Sequence, residues 1–100
     1  MPFGLSDKSL SIVHGILRGH PAVERAVIYG SRARGNYREG SDIDLALEGS
    51  DLKYDVVIKI AGELEDSYLP YFVDLMILTP TDSRPIAHEI ARDGVEFYRR

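Results

Sequence analysis

The sequence predicts an α/β (α+β) domain: one small mixed β-sheet flanked by helices. Three observations predict it. Four short apolar or alternating runs have strand character, at Arg25–Tyr29, Ile43–Leu47, Tyr71–Leu78 and Val95–Tyr98. Three other stretches repeat apolar residues at helical spacing. The two kinds of segment alternate along 100 residues with no repeat, low-complexity tract or linker, so residues 1–100 are expected to form a single domain around one modest core. Strand order is not set by such a pattern.

Each element has a local cause. Ser6-Asp7 is a helix start; Leu10, Val13 and Leu17 follow on one face, and Gly19-His20-Pro21 stops the helix. Arg25 to Tyr29 (RAVIY) reads as a buried strand bounded by Gly30. Gly30 to Ser41 reads as loop with one short helical turn. In Ile43 to Leu47 the apolar residues alternate with acids, as in a half-buried strand. Ser50 or Asp51 is placed to cap a helix whose stripe is Leu52, Val56, Ile60 and Leu64, with Val57 and Ala61 beside it, ending before Pro70. Tyr71 to Leu78 (YFVDLMIL) is the strongest strand, and Thr79-Pro80-Thr81 breaks it. Asp82 or Ser83 opens a last helix with Pro85 in its first turn and Gly94 at its end. Val95 to Tyr98 alternates as a short final strand.

Composition narrows the function classes. The net charge of −4 and pI near 5.3 argue against a surface that coats nucleic acid, and no direct nucleic-acid binding is expected. The charge is uneven: Arg25, Arg32, Arg34 and Arg38 are close together, whereas Glu63, Glu65 and Asp66 cluster elsewhere. With no cysteine there is no disulfide and no thiolate metal site. The N-terminus lacks the pattern of a signal peptide, and no apolar run nears the ~18 residues of a membrane span. A cytoplasmic protein is the expectation, with specificity supplied by loops or a partner.

Asp42 and Asp44 lie two apart on a predicted strand. Both carboxylates therefore share a face, roughly 7 Å apart at the backbone, while Ile43, Leu45 and Leu47 face the core. Like charges so placed repel, and a hard divalent cation relieves the conflict. Asp-x-Asp alone is most often two solvated acids on a strand edge. It is not a calcium loop, because Ala46 stands where a further oxygen ligand belongs. Asp74 adds weight. It lies within YFVDLMIL, flanked on its own face by Phe72 and Met76, where an ionised acid is costly unless paired with an arginine or bound to metal. Three acids on two strands make the ligand set of a two-metal phosphoryl-transfer site.

Gly30-Ser31 follows the first strand. Glycine admits close backbone approach, and free N–H groups at the start of a helical turn suit phosphate. Arg32, Arg34 and Arg38 could neutralise a triphosphate, although loop arginines are usually just solvated. Gly30-x4-Gly35 is only half a P-loop, since Asn36-Tyr37 replaces Lys-Ser/Thr, and no G-x-G-x-x-G occurs. His14, His20 and His88 suit structural or surface roles; His88-Glu89 is not a zinc motif, because Arg92 ends it. Six tyrosines fit core packing or an interface equally well.

Gly30-Ser31, ten residues, Asp42-x-Asp44 and a third acid on a later strand together resemble the nucleotidyltransferase superfamily of the DNA polymerase β type. The stretch GSRARGNYREGSDIDLAL is similar to the minimal nucleotidyltransferases (MNT) of prokaryotes, over essentially the whole chain. The resemblance implies that ATP binds with two Mg²⁺ ions (or Mn²⁺), a hydroxyl attacks the α-phosphate and pyrophosphate leaves. By position, Gly30 and Ser31 hold the β- and γ-phosphates; Arg32 and Arg34, as cations of the same loop, are expected to bind nucleotide beside them. Asp42 and Asp44 bind both metals, and Asp74 binds one and activates the nucleophile. It further implies an antitoxin of the HEPN/MNT kind, which transfers AMP to a tyrosine of a HEPN-domain ribonuclease toxin. Two alternatives stay open: transfer to a small-molecule hydroxyl, and a non-catalytic antitoxin that acts by binding. The three mutually repelling carboxylates argue against the last.

Overall fold

A computed structural model describes residues 1–100. After a single 3-10 turn at Pro2–Gly4 come α1 (Asp7–Arg18), β1 (Arg25–Tyr29), α2 (Ser31–Arg34), β2 (Ile43–Glu48), α3 (Tyr54–Glu65), β3 (Val73–Ile77), α4 (Pro85–Asp93) and β4 (Val95–Arg99). The strands form one mixed sheet in the order β3-β2-β1-β4. β1 lies antiparallel to β2 and β4, whereas β2 and β3 run parallel. The α/β fold class expected from the sequence is the one observed.

The local signals act largely as expected. The Ser6 hydroxyl accepts from the Ser9 N–H at 3.1 Å, satisfying one orphan donor of α1. The far end of α1 is tied to α3 where the His20 ring meets Glu63 at 2.6 Å. Two expected caps are spent elsewhere. Ser50 does not cap α3, which starts at Tyr54 behind Lys53. Its N–H and hydroxyl both donate to the Glu24 carboxylate, at 2.7 and 3.1 Å. Leu52 is buried ahead of the helix, not within its stripe, and the buried face is Val57, Ile60 and Leu64. Ala61, expected beside that stripe, is exposed. Neither Asp82 nor Ser83 caps α4; Arg84 precedes Pro85, and Asp82 accepts from the Arg84 backbone N–H and guanidinium instead.

The two faces of the sheet are covered unequally. Ile28, Ile43, Leu45 and Leu47 point to α1 and α3 and join a core of 15 buried residues. The opposite face carries Val27, Tyr29 and Ala46, which meet Ile90 of α4 in a cluster of only 4. No helix is long and apolar enough to cross a membrane. Because Leu45 is fully enclosed by the larger core, Leu45→Ala is expected to cost about 2–5 kcal/mol in urea unfolding followed by circular dichroism. The same truncation at half-buried Leu78, against the smaller cluster, should cost clearly less; equal losses would contradict the asymmetry.

Candidate active site

The strand pairings decide which side chains meet. On one side, parallel β2 and β3 place Asp44 directly opposite Asp74, across the ~4.8 Å that separates neighbouring strands. On the other, Tyr29 is the register partner of Asp44 on β1. Asp42, exposed, precedes β2 on the same side of the chain as Asp44. The structure thus brings Asp42, Asp44 and Asp74 to the face that α4 only partly covers. They do not form a ready-made three-ligand cage. The expectation that Asp74 is a costly acid inside an apolar strand is corrected: Asp74 is exposed, because β3 is the edge strand.

Gly30 is required twice over. Its φ of 73° and ψ of −154° lie in a region essentially closed to other residues. A Cβ there would also stand 2.5 Å from Asp44 Oδ2. The absence of a side chain is thus what lets the carboxylate lie against the turn. Ser31 opens α2, whose one turn closes when the Arg34 N–H reaches the Gly30 carbonyl at 3.1 Å. Gly35, in the left-handed region at φ 83°, ends it.

The arginines divide. Arg34 lies at the rim and pairs with Glu89 of α4 at 3.1 Å, while Arg38 is exposed. Arg32, expected to bind nucleotide, is only 3% exposed and turned inward. Its guanidinium donates to the Ser41 carbonyl at 3.0 and 2.8 Å and to the Phe3 carbonyl at 2.8 Å. It is also stacked between Tyr37 and Tyr71, 5.0 and 4.6 Å from their centroids. Buried, and with three of its five N–H groups donating to carbonyls, it is not presented to a phosphate.

Charge at the site is mostly negative. Burial, then Asp74 and Asp42, raise the Asp44 carboxyl above its ordinary value; Glu89 adds to this and Arg34 opposes it. Burial and then Asp44, Asp74 and Glu89 push the Tyr29 phenol up to about 12, so it stays neutral at physiological pH. Tyr29 and Glu89 are site residues that the sequence reading missed. Tyr29 is findable as the residue before Gly30, but Glu89 depends on how α4 lies across β1. A hard divalent cation fits this donor set, which is all carboxylate oxygen and is held in mutual repulsion.

Residues 12–100 match the family described as Polymerase beta, Nucleotidyltransferase. That span is nearly the whole chain, and the chain belongs to this family. No curated protein matches it. Among solved structures, a chain of a toxin–antitoxin with AMP-PNP superposes with a TM-score of 0.72 at 24% identity, covering 91% of this chain and 73% of that one. A chain of a tri-AMPylated Shewanella oneidensis HEPN toxin in complex with MNT antitoxin gives 0.69 at 20% identity, covering 96% and 74%. The toxin–antitoxin MntA-HepT gives 0.68 at 21%, covering 95% and 74%. At these identities the likeness is one of fold.

Two outcomes follow from the geometry. Gly30→Ala should lose about 1–3 kcal/mol to backbone strain alone, read by urea unfolding. No loss would mean that the turn is not held as described. For Asp44, the folded-state carboxyl is raised above its ordinary value, so its ionised form destabilises the fold. That cost is fully present above the folded-state value and disappears as pH falls and the group takes up its proton. In metal-free buffer Asp44→Asn should therefore melt higher than wild type at pH 7, and the gap should close in acid. A gap that widens in acid contradicts the assignment.

Proposed function

We propose that this nucleotidyltransferase-family chain transfers AMP from ATP to a hydroxyl, a tyrosine of a HEPN-domain ribonuclease toxin, and thereby acts as that toxin's antitoxin. The observation that carries the proposal is the placing of Asp44 and Asp74 abreast on adjacent parallel strands beside the Gly30-Ser31 turn. Supporting it, the similar folds include a toxin–antitoxin with AMP-PNP and a tri-AMPylated HEPN toxin in complex with MNT antitoxin.

In this reading Asp42, Asp44 and Asp74 hold Mg²⁺ or Mn²⁺. When bound, these cations neutralise charge on the phosphate oxygens. The Gly30 backbone and the Ser31 hydroxyl receive the β- and γ-phosphates, and Arg34 supplies positive charge at the rim. Tyr29, kept as a neutral phenol, adds no further negative charge to the carboxylates. Asp74, exposed where an acceptor can reach it, takes the proton of the attacking hydroxyl. The acceptor oxygen bonds to the α-phosphorus, the bond from that phosphorus to the bridging oxygen breaks, and pyrophosphate leaves.

Asp74→Asn separates catalysis from binding. It should retain Mg-ATP by calorimetry and the toxin by pull-down, while intact-mass spectrometry of the toxin shows transfer reduced by ~10²–10⁴-fold. With wild type, EDTA should abolish transfer and added Mg²⁺ or Mn²⁺ restore it. Full rescue of growth by an Asp74→Asn protein that transfers nothing would replace modification with neutralisation by binding alone.

A further inference from the structure

The outer edge of β3 is open at the active site. β3 ends the sheet, so one of its backbone rows has no strand beside it. The Phe72 carbonyl accepts from Ile43 at 2.9 Å and the Leu78 N–H donates to Leu47 at 2.8 Å, both toward β2. Backbone direction alternates along a strand, so Val73, Leu75 and Ile77 turn their N–H and C=O groups outward. Ile77 is already blunted, because its carbonyl accepts from Arg84 at 3.0 Å. The open stretch that remains is Val73 and Leu75, on either side of Asp74.

An apolar groove of about 460 Å³ runs between this edge and α3. Nine of its eleven lining residues are hydrophobic, and the two charged ones, Glu65 and Asp74, are both acidic. Large apolar side chains stand uncovered along it, Ile58 at 69% and Phe72 at 68% exposed. An unprotected edge strand with exposed apolar flanks is a template for another chain.

We propose that this edge and groove dock the acceptor protein. It enters as an extended segment that adds a strand to β3, places alternate apolar side chains in the groove and carries lysine or arginine toward Glu65. That position sets the acceptor hydroxyl beside Asp74. The proposal rests on the transfer reading above and names the surface that serves it. A small-molecule acceptor has no use for a row of main-chain donors and acceptors. A second copy fits worse than a basic segment, because pairing β3 with itself brings the acidic groove residues of two copies together.

The test uses the full chain in complex with a co-expressed HEPN-domain toxin. Hydrogen exchange at the Val73 and Leu75 amides should slow at least tenfold in the complex relative to the chain alone. Phe72→Ala and Ile58→Glu, both at exposed positions, should raise the KM for the toxin at least tenfold and leave ATP affinity unchanged. Transfer without protection of either amide overturns the docking site alone. Protection without transfer supports the docking site and overturns the transfer reading. Protection that develops in the isolated chain as its concentration rises assigns the edge to a second copy and overturns the proposal. Neither complex nor transfer overturns both.

Discussion

The site depends on β2 and β3 running parallel and in register. A parallel pair needs a crossover connection, here the segment containing α3. Its length returns the chain so that Asp74 arrives abreast of Asp44. An antiparallel return would align β3 differently and separate the acids. The pairing is stabilised from the far face of the sheet, where Ile43, Leu45 and Leu47 are fully buried. Packing on one side of β2 thus holds together charges on the other that repel one another.

A second constraint is the buried guanidinium of Arg32. It joins the N-terminal turn at Phe3, the far end of its own loop at Ser41 and, through Tyr71, the approach to β3. Both acid-bearing strands are therefore anchored near their starts by one side chain. Its partners are neutral carbonyls and aromatic faces, which suit a flat, weakly hydrated cation better than a lysine ammonium.

Much of this was legible in the sequence, because the signals are local. The Ser6 cap, the Gly19 stop, Pro85 at the start of α4 and the alternation through Asp42 and Asp44 each act within a few residues. What was not legible depends on distant partners. Ser50 and Asp82 are good capping residues, yet Glu24 and Arg84 compete for them. Arg32 looks like its neighbours Arg34 and Arg38 until the loop closes on Phe3, Tyr37 and Tyr71. Asp74 has the sequence surroundings of a buried residue, and only the strand order makes β3 an edge and leaves it wet.

The unequal covering of the sheet has a dynamic meaning. α4 presses on the site face with Ile90 as its one buried side chain, and the exposed Arg34–Glu89 pair joins it to the loop that holds Gly30 and Ser31. Such a pair contributes only ~0–1 kcal/mol. Local openings cost least where the apolar area they uncover is smallest. α4 can therefore loosen while α1 and α3 stay clamped to the opposite face. Breathing at this end of the molecule is decoupled from its melting, and α4 can uncover the site face while the strands that carry Asp44 and Asp74 stay in register.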